Sequence, residues 1–457
     1  MAALTGQTII VPPDPGLMGA FGVALEIKEK LSLGLMKEKQ FDLKELADRE
    51  VSYKKPFICG GGKEKCDLKC SINMIEIQGK SYPFGGACNK YYSLNQQQAI
   101  EPEEFDYVKM RQDLMFGEKY VPAKELRTDA KVIGINGSFH THTIYPLYYN
   151  FFTELGFKVY LSEEPQAEGM ERELSSFCYP AQLSLGLFQD LVNQNCDYYF
   201  LPGIMEMYSE DKAYHQKDTN CTCAFLNTEA YFIPQAFKDC NIKDKIIHTI
   251  FNYAYGYHTQ EDKYIEIAKQ LGIKDEDKIK QAYKKAYTMQ ADFDNELLEI
   301  GRKAMADLEN HPDEYAIVLV GRPYNSFTEI ANKGIPRKFA SRGVKIIPYD
   351  MLEFRNEIVD DNQYWESGKK ILKIAKVIKR HPQLFATYIS NFSCAPDSMI
   401  MTIFRTIMGM KPSLTLELDG HTADSGINTR IDAALDIITN YRKVQENMKP
   451  IGDDGYR

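Results

Sequence analysis

The chain has 457 residues, of which 44% are hydrophobic and 26% are charged, a composition typical of a globular protein with two or three domains. Its net charge of −9 disfavours a nucleic-acid partner, because such partners select for basic surfaces. No apolar run approaches the roughly 20 residues that span a bilayer, and the N-terminus lacks the basic start of a signal peptide. We therefore expect a cytoplasmic protein without a membrane partner.

The N-terminal segment, residues 1–56, is predicted to hold a short strand at 8–11, a helix at 18–27 and a charged linker from residue 28 onward. A strand and a helix of this size cannot form a core by themselves.

Four cysteines mark the next segment, residues 57–95: Cys59, Cys66, Cys70 and Cys88. Four thiolates in a small unit with glycine-rich turns are typical of tetrahedral zinc or of an iron–sulfur cluster, and zinc is the preferred prediction. The core of this segment is too small to be stable without a metal or a docking surface. The alternative is a set of unligated surface thiols, since the spacing departs from paired C-x₂-C knuckles.

From residue 128 onward, apolar strands alternate with amphipathic helices. The first such region, 128–275, has predicted strands at 132–135, 157–161, 197–201 and 246–251, and helices at 145–155 and 180–192. An apolar stripe within 276–312 predicts a connecting helix of about 30 residues. The second region, 313–457, has predicted strands at 316–320, 344–348, 384–390 and 414–418, and helices at 330–342, 368–380, 398–408 and 430–441. This pattern predicts an α/β fold, with two doubly wound parallel-sheet lobes joined by a long helix and a small cysteine-rich N-terminal unit.

The chain contains ten cysteines, which in a reducing compartment indicate metal ligands, redox centres or buried small hydrophobes rather than disulfides. Cys178 and Cys394 each directly precede a predicted helix, and Cys223 lies in a loop after a predicted strand. The carboxyl ends of parallel strands form a binding crevice, and helix N-termini there favour thiolates. The trio could therefore hold an iron–sulfur cluster, and Cys221 could ligate instead of Cys223 or beside it. The alternative is burial as small hydrophobes, which is the role we expect for Cys196.

Three basic residues follow a Gly-Arg-Pro turn after the strand at 316–320. Arg322, Lys333 and Arg337 could hold an anionic group of a substrate, together with Asn325 of the same turn. The alternative is an ordinary strand-to-helix turn with solvated basic side chains.

Histidines and carboxylates at strand ends are weaker candidates. His140 and His142 follow the first strand of the first lobe and are more typical of a structural pair than of a catalytic one. Asp419 and His421 end the strand at 414–418 and could assist proton transfer, or could cap the next helix. Neither a P-loop motif nor a G-x-G-x-x-G motif after a strand is present, so nothing in the sequence indicates a nucleotide site.

Several of these motifs together resemble a known group. Residues 177–180 (Phe-Cys-Tyr-Pro), 321–325 (Gly-Arg-Pro-Tyr-Asn), 391–397 (Asn-Phe-Ser-Cys-Ala-Pro-Asp) and 416–426 are similar to the 2-hydroxyacyl-CoA dehydratase superfamily. They look most like the dehydratase-like C-terminal part of the large CoA-substrate-specific enzyme activases and the related double-cubane cluster proteins. Residues 11–22 resemble the end of the activase ATPase domain.

The resemblance implies a [4Fe-4S] or related cluster between the lobes, held by Cys178, Cys223 and Cys394. It implies an electron-transfer or reductase component that takes low-potential electrons from an ATP-hydrolysing activator of actin-like fold. Its substrate would be a small molecule, an acyl-CoA in the dehydratases. The expected second Cys-Pro is Cys223-Ala224 here, so Cys221 stays an alternative ligand.

The likeness to an ATPase domain covers only about 27 residues, too few for that fold. We therefore expect no ATPase site and a chain that is part of a longer or split activase. The alternative function is a non-catalytic, zinc-stabilised regulatory or scaffold module. The oligomeric state is left open, with a homodimer as one option.

Overall fold

A computed structural model describes residues 14–34, 36–38, 40, 42, 44, 48–60, 69–84, 91, 101–173, 178–208, 220–359, 363–422 and 424–447. Two compact units form, one from residues 1–85 with 432–457 and the other from residues 86–431. Within the described ranges, no helix is both long enough and apolar enough to cross a membrane.

The described part of the first unit is a helix, an antiparallel three-stranded sheet of order β1-β2-β3, and residues 432–447, the later part of a helix that begins in the second unit. Its elements are α1 (Met18–Ser32), β1 (Val51–Ile58), β2 (Ser71–Ile77) and β3 (Lys80–Phe84). Gln78 and Gly79 both have positive φ, which suits the two-residue turn between β2 and β3. The sheet begins within the predicted linker, before residue 57, and the predicted strand at 8–11 lies outside the described residues.

The first lobe of the second unit is built on a parallel sheet of order β5-β4-β6-β8, with a separate parallel pair β7-β9. Its elements are α2 (Tyr107–Phe116), β4 (Val132–Ile135), α3 (Thr141–Glu154), β5 (Lys158–Leu161), α4 (Ala167–Met170), α5 (Tyr179–Asn193), β6 (Tyr198–Phe200), β7 (Gly203–Glu206), α6 (Ala224–Asn227), α7 (Glu229–Ala236), β8 (Ile246–Ile247), β9 (Ile250–Asn252) and α8 (Glu261–Gln270). Cys196 lies in its core, as expected from the sequence.

The single strand predicted at 246–251 is wrong, because the structure has two short strands there. β8 pairs with β6, whereas β9 pairs with β7 in the other sheet. Pro202, which has no N–H to donate, interrupts the neighbouring chain between β6 and β7. His248 lies between β8 and β9, and Nδ1 of its ring contacts the carbonyl oxygen of Leu201 at 2.8 Å.

A helix of 35 residues, α9 (Glu276–Asn310), follows the first lobe and spans about 52 Å. Asp275 caps its start by accepting a hydrogen bond from the Lys278 N–H at 3.0 Å. At its end, the amide of Gln383 donates to the carbonyl of Leu308 at 2.7 Å. The helix is therefore fixed at both ends, and its far end is held by a residue of the second lobe.

The second lobe has a parallel sheet of order β11-β10-β12-β13. Its elements are β10 (Ala316–Val320), α10 (Pro323–Ser326), α11 (Glu329–Asn332), α12 (Ile335–Ala340), β11 (Lys345–Pro348), α13 (Glu366–Arg380), β12 (Leu384–Asn391), α14 (Ala395–Met408), β13 (Ser413–Leu418) and α15 (Asp424–Asn447). Every residue of β10 and β12 is buried, as expected for parallel strands covered on both faces. The predicted α/β fold class with parallel sheets is confirmed.

The continuous helix predicted at 330–342 is wrong. Lys333 and Gly334 adopt left-handed conformations with φ of 55° and 69°, which end α11. Pro336 then lies in the first turn of α12, where its fixed φ is favourable.

Candidate functional site

Both four-stranded parallel sheets contain a point at which the strand order reverses. In the second lobe, β11 lies on one side of β10 and β12 on the other. Loops that leave neighbouring strands in opposite directions open a crevice at their carboxyl ends. Arg322 follows β10 and Cys394 follows β12, so both lie at this point. In the first lobe the corresponding point lies between β4 and β6, and His140 follows β4.

A buried ion pair organises the crevice of the second lobe. Arg322, only 5% exposed, donates from Nη2 to Oδ2 of Asp397 at 2.6 Å and to Sγ of Cys394 at 2.7 Å. The hydroxyls of Ser390 and Tyr388 donate to the same carboxylate at 2.6 and 3.1 Å. Each carboxylate oxygen of Asp397 is therefore hydrogen-bonded, as a buried charge requires.

The other two cysteines of the trio lie near this pair. Cys178 is the N-cap residue of α5 and Cys223 is that of α6. Both thiols are close enough to Arg322 for their charges to interact. Burial raises the pKa of the Cys178 thiol to about 11 and that of the Cys394 thiol to about 12. At neutral pH these thiols are protonated, so a metal or cluster has to displace the protons.

The three cysteines supply thiol donors, the ligand type that iron–sulfur clusters and zinc both take. In the ranges that the structure describes, no three His, Cys, Asp or Glu side chains converge closely enough to hold one metal ion. The thiolates of an iron–sulfur cluster bind different irons and need not meet at one point. The three sulfur donors come from separate elements, and the guanidinium of Arg322 suits an anionic cluster.

Cys221 and Cys223 play different structural parts. Cys221 is 7% exposed; its N–H donates to the carbonyl of Tyr364, and its carbonyl accepts from the N–H of Glu366, both at 3.1 Å. It thereby joins the first lobe to the start of α13. Cys223 lines a cavity between the same lobes. This geometry favours Cys223 as the ligand.

The predicted anion site is not assembled from all of its residues. Asn325 is 1% exposed and follows Arg322 in the same turn. Arg337 instead forms an ion pair with Glu103 at 3.2 Å, and Lys333 donates to the carbonyl of Thr422 at 3.3 Å. Arg322 lines the cavity, whereas neither Lys333 nor Arg337 is part of its wall.

Asp419 and His421 form a local turn. Oδ1 of Asp419 accepts from the N–H of His421 at 2.9 Å and from the hydroxyl of Thr422 at 2.8 Å. The hydroxyl bond lowers the pKa of the Asp419 carboxyl. These contacts are those of a side chain that caps a chain turn.

Both histidines after β4 are neutral at pH 7; His142 is buried and His140 is partly buried. His142 contacts the carbonyl of Gly137 through Nε2 at 2.8 Å, and desolvation lowers its pKa to about 4. Desolvation lowers the pKa of His140 further, to about 3, and this ring lines the cavity.

The neutral state of His142 predicts an acid sensitivity. Below pH 6.5 the unfolded chain binds a proton at this ring, whereas the folded protein does so only near pH 4. The neutral His142 ring therefore contributes fully to the free energy of unfolding above pH 6.5. This contribution, roughly 1–3 kcal/mol, is lost as the pH falls to about 4. The free energy of unfolding, measured with urea, should differ less between pH 7 and pH 5 in His142→Gln than in wild type. The exposed His258→Gln should behave like wild type, and an unchanged difference in His142→Gln would contradict this account.

The cavity has a volume of about 300 Å³ and is lined by several charged residues for which the sequence predicted no role. These are Arg111, Asp294, Asp350, Arg355, Glu366, Lys370 and Lys373. Arg111 lies on α2. The side chain of Asp106 caps the start of this helix by accepting a hydrogen bond from the N–H of Lys109, and an aspartate at this position is a recognisable start signal in a sequence. Asp294 lies one residue from the apolar stripe of α9, where a carboxylate normally indicates a solvated face.

The four-cysteine segment is described only in part. The N–H of Cys59 donates to the carbonyl of Cys70 at 2.8 Å, directly beyond the paired residues Ile58 and Ser71. Cys66 and Cys88 lie outside the described residues. All eight residues of β1 are exposed, and Ile72 is the one buried residue of β2. So weak a core is consistent with the predicted metal, which stays a prediction.

Removing that metal should unfold the sheet β1-β2-β3. We expect a thiol-competing chelator to release zinc and to speed amide hydrogen exchange in residues 51–84 by at least about tenfold, because metal binding would supply the folding energy of this unit. Cys59→Ser should reproduce the effect and Cys240→Ser should not. Slow exchange that persists in the chelated protein would show that the sheet is stable without a metal.

Comparison with known proteins bears on the second unit. Residues 132–352 match a family described as the CoA enzyme activase uncharacterised domain. The matched segment contains Cys178, Cys223 and Arg322, whereas Cys394 lies beyond it. No curated protein matches the chain significantly.

Three solved structures illustrate how weak the overall structural likeness is. The C-terminal domain of glucosamine-fructose-6-phosphate aminotransferase from Francisella tularensis is 11% identical, with 75% of this chain and 93% of that chain covered and a TM-score of 0.19. Glucosamine-6-phosphate deaminase from Thermotoga maritima is 11% identical, with 77% and 96% covered and a TM-score of 0.17. Tagatose-6-phosphate ketose/aldose isomerase from Escherichia coli is 11% identical, with 80% and 96% covered and a TM-score of 0.18. TM-scores this low carry no argument about this chain.

The family match agrees with the resemblance seen in the cysteine and Gly-Arg-Pro motifs. It covers the first lobe from β4 onward, the connecting helix and the first two strands of the second lobe. Over residues 132–352, just under half of the chain, this protein is therefore similar to the CoA enzyme activase uncharacterised domain.

Proposed function

We propose that the protein is an iron–sulfur electron-transfer or reductase component of the 2-hydroxyacyl-CoA dehydratase type. Low-potential electrons would come from an ATP-hydrolysing activator and would pass to a small substrate, with an acyl-CoA as the leading candidate. The observation that carries the proposal is the gathering of Cys178, Cys223 and Cys394 around one buried arginine.

The residues of the chain would hold the cluster as follows. Cys178 and Cys394 would supply thiolates from the starts of two long helices, and Cys223 would supply one from the cavity wall. When bound, an iron–sulfur cluster supplies one-electron transfer at low potential. Arg322 would stabilise the thiolates and the added negative charge, because its guanidinium already bonds Sγ of Cys394.

Asp397 is a positioning residue in this proposal. It fixes the guanidinium of Arg322 through a 2.6 Å ion pair and is itself held by Ser390 and Tyr388. The cavity beside Cys223 would then receive the substrate, since it lies against the same arginine.

Single substitutions of the trio test the proposal. In protein purified without oxygen, Cys178→Ala, Cys223→Ala and Cys394→Ala should each lower the bound iron and sulfide by at least half, because a cluster that loses one of three protein ligands binds weakly. Cys240→Ala is the matched control and should keep its iron. Cys221→Ala decides between the two neighbouring cysteines, and we expect it to keep its iron. Full iron content in all three trio variants would overturn the ligand assignment.

A further inference from the structure

A buried carboxyl group organises the first lobe, as Asp397 organises the second. Glu229, at the start of α7, is 5% exposed. Its Oε1 accepts hydrogen bonds from the hydroxyls of Ser138 and Ser184, both at 2.6 Å, and from the amide of Asn136 at 2.8 Å. These three donors are buried as well. One oxygen atom therefore joins α7 to the loop after β4 and to α5.

The partners of Glu229 are neutral, whereas Asp397 pairs with the charged Arg322. Among the described residues, no basic side chain forms an ion pair with Glu229. A buried carboxyl group without a counter-ion is costly unless hydrogen bonds satisfy it. Because a hydrogen bond depends on angle as well as on distance, these bonds hold the joined segments in one arrangement. That arrangement matters because two of the segments carry cysteines of the trio.

The first of these segments is α5, which begins directly after Cys178. Ser184 lies on α5, six residues after this cysteine. The N–H of Gln182 donates to the carbonyl of Cys178 at 3.0 Å, so the cysteine is joined to the first turn of the helix. The helix is continuous from there to Ser184, and its rise places the two residues about 9 Å apart along the axis. The bond from Ser184 to Glu229 therefore fixes the position of the helix that carries Cys178.

The second segment runs from Cys223 to Glu229, again over six residues. It consists of α6, the first residue of α7 and the cap residue that the two helices share. The N–H of Leu226 donates to the carbonyl of Cys223 at 3.1 Å. The amide of Asn227 donates to the hydroxyl of Thr222 at 3.0 Å, which ties the start of this segment to its end. A displacement of Glu229 would therefore be passed on to Cys223.

The loop after β4 extends the same arrangement to the second lobe. Ser138 is followed by Phe139, whose φ of 44° is unfavourable for a residue with a Cβ. The ring of Phe139 packs edge-to-face against Tyr324, with ring centroids 5.4 Å apart. The hydroxyl of Tyr324 in turn accepts a hydrogen bond from Nη1 of Arg322 at 3.3 Å. The bond between Ser138 and Glu229 thus supports a loop that contacts the neighbour of this arginine.

We propose that Glu229 is a positioning residue that holds Cys178 and Cys223 in a fixed arrangement, so that both thiolates can bind one cluster. The inference deepens the proposed function and rests on it for the role of the two cysteines. Each lobe then has one buried carboxyl group for its own part of the ligand set, since Asp397 fixes the arginine that bonds Cys394. Loss of Glu229 would leave three buried donors without this acceptor and would free the two cysteine segments to move.

The rate of alkylation of each thiol tests the proposal in the full-length protein purified without oxygen. Labelling with iodoacetamide, followed by peptide mass spectrometry, gives a separate rate for each cysteine. In Glu229→Ala, Cys178 and Cys223 should react at least about tenfold faster than in wild type, while Cys394 keeps its rate. Glu229→Gln keeps an acceptor oxygen and should stay within about threefold of wild type. Unchanged rates at Cys178 and Cys223, or an equal increase at all three cysteines, would overturn the proposal.

Ser184→Ala is a milder variant that keeps the proposal testable even if Glu229→Ala does not fold. It removes the bond between α5 and Glu229 and leaves the bonds from the loop after β4 in place. Cys178 should therefore react about threefold faster or more, while Cys223 should keep the wild-type rate. The same rate as wild type at Cys178 would contradict the role that we assign to this bond.

Gln383→Ala is the matched control for a general loss of stability. The amide of Gln383 is also buried and makes three hydrogen bonds, to carbonyls at and beyond the end of α9. It precedes β12, whose eight residues separate it from the segment of Cys394 by roughly 26 Å. The ratio of the three alkylation rates should therefore stay as in wild type. A change of this ratio like that in Glu229→Ala would mean that any destabilising change has the same effect, and it would overturn the proposal.

The cluster gives an independent readout. The EPR spectrum of the reduced protein should have altered g values in Glu229→Ala, because displaced ligands change the surroundings of the iron. Glu229→Gln and Gln383→Ala should keep the wild-type values, and an unchanged spectrum in iron-containing Glu229→Ala would overturn the proposal. Wild type without iron would refute the proposed function, and the alkylation rates would still decide the role of Glu229. Iron in wild type, together with unchanged alkylation in Glu229→Ala, would refute only this inference.

Discussion

Asp397→Ala is expected to lower the free energy of unfolding by roughly 3–5 kcal/mol, because it leaves a buried charge without its partner. Arg322 is 5% exposed, and its 2.6 Å ion pair with Asp397 is the bond that compensates its desolvation. The hydroxyls of Ser390 and Tyr388 would lose their acceptor at the same time. Denaturant unfolding followed by the fluorescence of Trp365, the one tryptophan of the chain, would measure the loss.

Two comparisons isolate the cause. Glu353→Ala breaks an exposed pair with Arg302 and should change stability by no more than about 0.5 kcal/mol. The double variant Arg322→Met with Asp397→Leu removes both charges and should recover much of the loss. If Asp397→Ala costs no more than Glu353→Ala, the pair does not carry the stability that we assign to it.

Gly301→Ala is expected to lower the free energy of unfolding, although a glycine-to-alanine change within a helix usually raises it. Alanine in the middle of a helix is normally more stable than glycine by about 0.5–1 kcal/mol. A Cβ at Gly301 would lie 1.7 Å from the carbonyl oxygen of Met351, so the segment after β11 would have to move. We expect a loss of about 1–3 kcal/mol through overpacking.

The matched control is another helical glycine. Among the described residues, a Cβ at Gly426 in α15 would meet nothing within 4 Å, so Gly426→Ala should leave stability unchanged or raise it by up to about 1 kcal/mol. Thermal unfolding of both variants under one condition would compare them. Equal effects would mean that α9 does not approach Met351 as closely as described. Since Asp350 beside Met351 pairs with Arg111 at 2.8 Å, Gly301→Ala should also disturb the cavity wall.

Much of the α/β architecture could be predicted because its strands are continuous apolar runs. The strands at 132–135 and 316–320 have the predicted bounds, since a parallel strand buried on both faces must be apolar throughout. The split between β8 and β9 lies at the polar pair His248-Thr249, but the apolar residues on both sides of this pair led to the prediction of a single strand. The Gly-Ile-Pro sequence after Lys333 is a helix-end signal. The apolar periodicity of 330–342 nevertheless led to the prediction of one continuous helix.

The candidate site also has a part that the sequence predicts and a part that it does not. Cys178, Cys223 and Cys394 could be singled out because each lies at a strand end or helix start, where a parallel sheet places its crevice. Partners supplied by distant segments could not be predicted. Arg111 reaches Asp350 across 239 positions of sequence, and no local pattern announces that pairing.

The central claim is that the trio of cysteines holds an iron–sulfur cluster. Its most direct test is the content of iron, acid-labile sulfide and zinc in wild-type protein purified without oxygen. Our account predicts a coloured protein that contains iron and sulfide in similar amounts, and the iron should disappear when Cys178, Cys223 and Cys394 are replaced together. A colourless protein that contains zinc but no iron would contradict it and would favour a zinc-stabilised regulatory module.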